Sequence, residues 1–278
     1  MTAVIIAAIV LSLLFIAPAP LFAVVAGVVI LAVGGWEAAQ LGGLTQPLLR
    51  WVFGALLLVT GLIVGVGLGL VDLPLPPFPG FDWPLPRVLV VPALLWLLLI
   101  AWLLRPELGR RPGTGWRSVK LAVLSVVLLS AWLAVSWLQR ESAWLVVQLI
   151  IIIAAADIGA YFVGRQIGGP KLAPRISPGK TWSGVGGGLV STMIISAVAS
   201  QLLPGSPFSW PEAAGVALLL AGISVGGDLF MSLLKRQQGV KDSSQLLPGH
   251  GGILDRIDSL GAALPFFVLA VAFLSNPT

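Results

Sequence analysis

Residues 212–258 read EAAGVALLLAGISVGGDLFMSLLKRQQGVKDSSQLLPGHGGILDRID. The first half, through Leu234, opens on Glu212 and is otherwise an apolar run broken by a single acid, Asp228. As a helix at 1.5 Å per residue it reaches about 34 Å, enough to cross a hydrocarbon core about 30 Å thick. In lipid such a run must be helical, because only a helix satisfies its own backbone groups. The second half, 232–258, gathers eight ionisable groups in 27 residues: Lys235, Arg236, Lys241, Asp242, His250, Asp255, Arg256 and Asp258. His250 is the only histidine of the chain, in which 58% of residues are hydrophobic and 10% charged. A chain this apolar that concentrates its polar chemistry in one segment is expected to hold a charged substrate there.

The rest of the 278 residues repeats the apolar half of that pattern, with a mean hydropathy of +1.02. The expected fold class is all-α: a polytopic integral membrane bundle of about nine transmembrane helices. Apolar segments fall at about 3–17, 20–34, 51–71, 88–104, 119–138, 144–163, 184–203, 212–234 and 260–275. The first two are short for a full span. The N-terminus has an apolar core without a basic n-region, and Pro18 and Pro20 follow it, so it reads as a first short helix and not as a signal peptide. Segment 34–50, GGWEAAQLGGLTQPLLR, is mildly polar and is expected at the interface. Residues 1–118 then form N-terminal helices with that segment, and 119–278 a catalytic membrane region with loops at 164–183 and 235–259, in a single membrane domain. Absence of cysteine excludes disulfides and thiolate metal sites. A net charge of +5 with its cations in loops between apolar runs points to membrane orientation and away from nucleic acid.

Nine spans put fourteen Lys and Arg residues on one side and only Arg87 and Arg140 on the other. The positive-inside rule makes the rich side cytoplasmic, with the N-terminus inside.

Two aspartates interrupt spans, Asp157 in IIIAAADIGAYFVGR and Asp228. Each costs roughly 2.5–3.5 kcal/mol at a helix centre, so each asks for a reason. Asp157 precedes Arg165 by eight residues and Asp228 precedes Lys235 by seven, which sets both about 10 Å below the cytoplasmic charge line. Matching depth allows one shared polar cavity; the plainer alternative is a helix-end acid that hydrates or pairs with a nearby arginine. Asp255 and Asp258 share a face if their stretch is helical. Carboxylates without cysteine suit a hard cation such as Mg²⁺ held together with substrate phosphates. Lys235, Arg236, Lys241 and Arg256 could neutralise those phosphates. The PGHGG run at 248–252 lets backbone approach a phosphate, or simply turns. A second loop, 164–184, carries Lys171, Arg175 and Lys180 without any acid, which suits a triphosphate, anionic headgroups or plain topogenesis. It is not a P-loop, because position 174 is proline where GxxxxGK[ST] needs glycine.

Ser232, Lys235-Arg236, Lys241-Asp242, His250-Gly251-Gly252, Asp255-Arg256 and Asp258 fill every fixed place of a signature that identifies the stretch as similar to the phosphatidate cytidylyltransferases, or CDP-diacylglycerol synthases. Asp157-x-Gly159-Ala160-Tyr161, Gly164-Arg165, Lys171-Leu172-Ala173-Pro174 and Ser177-Pro178-Gly179-Lys180-Thr181-Trp182 resemble the family's upstream loop. The resemblance covers residues 150–265 strongly and the N-terminal half only as a hydrophobic pattern with Trp36-Glu37. Two departures stand out: Met231 occupies a place usually held by glutamate, and Ser183 one where Glu or Gln is common.

The resemblance implies transfer of a cytidylyl group from CTP to phosphatidic acid, giving CDP-diacylglycerol and pyrophosphate, at a bacterial inner membrane with the site facing the cytoplasm. The cofactor expected is Mg²⁺, with room for a second cation. Asp228, Asp255 and Asp157 are the expected metal ligands, and Asp228, Asp255, Asp258, His250 and Lys241 the expected catalytic set. Lys180, Ser177, Lys235, Arg236, Arg256, Lys171 and Arg175 are expected to meet substrate. The partners are CTP, phosphatidic acid and the bilayer, with a homodimer as the assembly considered and no nucleic acid. A CTP-dependent polyprenol- or phytol-type lipid kinase and an ion-coupled transporter are the competing readings.

Overall fold

The computed structural model describes residues 2–71, 84–104, 116–247, 249 and 251–274, with side chains from residue 8 onward. Its long helices are α1 (Thr2–Ile16), α2 (Ala19–Leu41), α3 (Pro47–Gly67), α4 (Leu85–Leu103), α5 (Arg117–Glu141), α6 (Ala143–Ile167), α7 (Trp182–Leu202), α8 (Trp210–Gln237) and α9 (Leu254–Leu274). Strands β1 (Lys171–Ala173) and β2 (Ser177–Thr181) form an antiparallel hairpin between α6 and α7. Among the described residues, eight helices, all but the 15-residue α1, are long and apolar enough to cross a membrane. The protein is an all-α polytopic membrane protein.

Local chemistry sets the helix starts. Ser209 N and Oγ both donate to Glu212 Oε2, at 2.8 and 2.7 Å, which fixes the first turn of α8. Thr181 Oγ1 accepts from Gly184 N at 3.1 Å and so ends the hairpin and begins α7 in one residue. Pro47 opens α3, where a missing N–H costs nothing.

Helices α5, α8 and α9 are the most buried and form the centre. Trp132 of α5 is wholly buried, its Nε1 donating to Ala23 O at 2.8 Å. The ring fills a notch in α3 where a Cβ on Gly65 would come within 2.6 Å of it. On the other side, α6 and α7 touch at backbone level: a Cβ on Gly184 or Gly188 would stand 2.9 Å from Ala160 O or Ala156 O. With lipid as solvent there is no hydrophobic gain between helices, so such small-residue contacts carry the packing.

Three expectations change. The second apolar segment is not short: α2 runs 23 residues, through one wide π-helical turn at Val28–Val33, to Leu41. The segment expected at the interface is therefore split, and its Trp36-Glu37 portion lies inside a packed helix, with Glu37 fully buried. Finally, α9 begins at Leu254 rather than near 260, so Asp255 and Asp258 lie on a helix and not in a loop.

Candidate active site

A cavity of about 720 Å³ lies between α6, α7 and the hairpin. Asp157 and Arg165 contribute from α6, Lys171 and Lys180 from the hairpin, and Gly184 and Gly188 from the close face of α7. Lys180 reaches from β2 to make an ion pair with Asp228 of α8, each side chain about a quarter exposed. Asp228 Oδ1 also accepts from Ser232 Oγ at 3.2 Å, one turn on. Asp157 lies within electrostatic reach of both Lys180 and Asp228. The two intramembrane carboxylates and the hairpin lysine thus come together.

A second cluster follows at the end of α8. Lys235 is buried and paired with Asp255 Oδ1 at 2.6 Å. Asp255 Oδ2 accepts from Ser243 N at 2.7 Å, Ser243 Oγ at 3.0 Å and Gly252 N at 2.9 Å. Its Oδ1 is therefore spent on Lys235 of α8 and its Oδ2 on holding the 238–253 loop. Asp258, one turn along α9, is close enough to interact with Asp228, Lys235 and Asp255, and links the two clusters. A Cβ on Gly227 would stand 2.8 Å from Asp258 O, so the glycine beside Asp228 is what lets α9 approach.

The other expected residues spread over the same face. Arg236 donates to Ile176 O of the hairpin turn and to Val240 O, at 3.4 and 3.3 Å, so it ties hairpin to loop. Ser177 lies in β2, Arg175 in the exposed turn before it, and Arg256 is exposed in the first turn of α9. Lys241 lines a separate depression of about 510 Å³ with Trp36, Gln40 and Ser243. His250 lies outside the described residues.

One residue that the sequence marked only as part of Trp36-Glu37, with no role attached, proves central to the packing of this face. Glu37 of α2 accepts four hydrogen bonds: Ser243 Oγ at 2.8 Å, Ser244 Oγ at 2.7 Å, Ile253 N at 2.9 Å and Leu254 N at 2.8 Å. It serves as the N-terminal cap of α9 from another helix, meeting donors that the helix start leaves unpaired. Gly252 is needed at that point, because a Cβ there would come within 2.6 Å of Glu37 Oε2. The available signal was a lone acid in an otherwise uncharged stretch of 46 residues after the chain's start, 4–49.

Among the described residues no three His, Cys, Asp or Glu side chains converge as a ready cage for a cation. Instead Asp157 and Asp258 each lie within electrostatic reach of Asp228, with Lys180 beside the first pair and Lys235 beside the second.

Met231 lies one turn beyond Asp228 and is buried. It lines a slot of about 10 Å³ with Trp96, Asp258 and Gly261. The indole Nε1 of Trp96 is buried there with no hydrogen-bond partner among the described residues.

Comparison with known proteins shows the family. A profile of the cytidylyltransferase family matches residues 1–274. A phosphatidate cytidylyltransferase of Pseudomonas aeruginosa is 37% identical over 270 residues, covering 96% of this chain and 93% of its own. One from Brucella suis is 44% identical over 173 residues, 60% of this chain and 61% of its own. One from Bacillus subtilis is 42% identical over 125 residues, 45% of this chain and 46% of its own. A match that runs nearly end to end leaves one conclusion: the chain belongs to the cytidylyltransferase family.

Proposed function

We propose that the protein transfers the cytidylyl group of CTP to phosphatidate, yielding CDP-diacylglycerol and pyrophosphate. The observation that carries this reading is the pairing of hairpin Lys180 with intramembrane Asp228 beside Asp157. It joins a cation suited to a nucleotide phosphate to carboxylates set about 10 Å below the cytoplasmic charge line. Family membership and the phosphatidate cytidylyltransferase relatives support the choice of substrates.

A phosphatidate oxygen would form a bond to the α-phosphorus of CTP as the bond from that phosphorus to the pyrophosphate oxygen breaks. Both reactants are anionic, so the barrier is charge and positioning. Lys171 and Lys180 suit the triphosphate, because both line the cavity. Asp228, with Asp157 and Asp258 beside it, would hold Mg²⁺ or a like cation, which when bound supplies charge neutralisation of the phosphates. Asp255 serves the site differently from the expectation that it binds metal: with Lys235 it fixes the loop and the start of α9. The fourteen-to-two distribution of Lys and Arg supports placing this face in the cytoplasm of a bacterial cell, where CTP is made.

Purified protein in mixed micelles should convert CTP and phosphatidate to CDP-diacylglycerol and pyrophosphate, and EDTA should stop it. Release of CDP instead of pyrophosphate would identify a kinase and overturn the reading.

A further inference from the structure

The cavity has two unlike walls. Its hairpin wall is cationic and polar. Its α6 wall carries a stripe of larger side chains, Asp157, Tyr161 and Arg165, spaced four residues apart and therefore stacked along one helix face, beside the small residues Ala156, Ala160 and Gly164. Around that stripe the helix is bare: Ile158 is 58%, Tyr161 58% and Phe162 56% exposed. On a membrane-spanning helix such apolar exposure is contact with lipid. The chain's only tyrosine thus sits where the cavity wall meets the acyl region.

Arg165 Nη1 donates to Tyr161 Oη at 2.7 Å, with the guanidinium carbon 5.9 Å from the ring centre. This folds the guanidinium back over the preceding turn. Tyr161 is its hydrogen-bond partner in the structure, and the side chain is exposed, so most of its donor fork remains available. An oriented guanidinium at the border of apolar surface and polar cavity suits a phosphate monoester carried on hydrocarbon chains.

We propose that Arg165, oriented by Tyr161, receives the phosphate of the lipid substrate, which enters from the bilayer along the exposed face of α6, while the hairpin lysines serve the nucleotide. This deepens the cytidylyltransferase reading and rests on it. It separates the two anions by route: one approaches through lipid past Phe162 and Tyr161, the other through water past the hairpin. It also gives Tyr161 a positioning role, because its hydroxyl fixes where the guanidinium lies without needing to touch the reacting atoms.

The test is a split of kinetic constants on the full chain in mixed micelles. Arg165→Gln is expected to raise KM for phosphatidate on the order of 10–100-fold and leave KM for CTP unchanged, the loss of one charge-assisted contact. Arg165→Lys should recover part of that loss, and Tyr161→Phe should raise the same KM a few-fold. A rise in KM for CTP with phosphatidate unaffected, or no change in either, overturns the proposal while leaving the proposed reaction intact. Phosphatidate-dependent thermal stabilisation of the protein in micelles, measured without CTP, reads the same contact apart from turnover. If that stabilisation is equal in wild type and Arg165→Gln, the assignment falls even where no turnover is seen. Wild type that binds phosphatidate through Arg165 but makes no CDP-diacylglycerol overturns the reaction and not the contact.

Discussion

Glu37 and Leu254 stand 217 positions apart in sequence, yet the carboxylate of one accepts from the backbone N–H of the other at 2.8 Å. This bond and its three companions join the N-terminal helices to the start of α9. Glu37→Ala would leave two backbone N–H groups and the Ser244 hydroxyl without their acceptor, while Ser243 Oγ keeps Asp255 Oδ2, at a cost of about 2–4 kcal/mol. The expected outcome is a lower Tm and faster hydrogen exchange over 243–254, with exchange elsewhere unchanged. Glu37→Gln keeps one acceptor oxygen and should fall between. Unchanged exchange in that loop would count against the clamp.

Asp228→Asn keeps the shape of the Lys180 contact and removes its charge. Turnover should fall on the order of 100-fold or more, the scale for loss of one electrostatic group in a preorganised site. Because both partners are about a quarter exposed, the variant should still elute as wild type and keep its helical circular dichroism. Full turnover in Asp228→Asn would remove this residue from the reaction.

Gly227→Ala tests the approach of α9 to α8. The new Cβ would lie 2.5 Å from Ala262 Cβ and 2.8 Å from Asp258 O, so the helices must separate, at about 1–3 kcal/mol. Activity should fall with stability, since Asp258 moves away from Asp228. Adding Ala262→Gly removes one of the two clashes and should restore part of both; a double variant no better than the single one would place the cost elsewhere.

Met231→Glu places a carboxylate in the slot shared by Asp258 and Trp96, whose buried indole N–H offers it a donor. If Asp228 and Asp258 share a cation, another acid beside them should lower the Mg²⁺ concentration for half-maximal rate. A metal titration of both proteins decides it, and an unmoved midpoint would make position 231 a packing site.

Much of the fold was legible because membrane helices are written locally. Apolar length alone placed most spans to within a few residues of the structure, and α3 through α8 needed no distant partner to be recognised. The two aspartates were legible for the same reason, since a charge inside an apolar run has few explanations. Failures fell where the cause is distant in sequence. DRID at 255–258 looked like loop because its charge density suits water, yet it is helical because Glu37 supplies the cap from α2. Residues 34–41 looked interfacial because Gly, Trp, Glu and Gln dilute the apolar run, yet the polar member faces buried serines and amides. For Asp255 type and spacing named only a carboxylate suited to a cation; the structure adds the donors that meet it from Lys235, Ser243 and Gly252, a convergence that no single stretch reveals.

The wide turn at Val28–Val33 has a rotational consequence. A π turn carries one residue more than an α turn, and each residue advances a helix by about 100°. Everything beyond Val33 on α2 is therefore phased by that surplus residue, Glu37 included. Were residues 28–33 wound as plain α-helix with none removed, the helix would still span the bilayer, but its acid would face a different neighbour. The helix is indexed to the rest of the protein as a gear is, by its angle as much as by its depth.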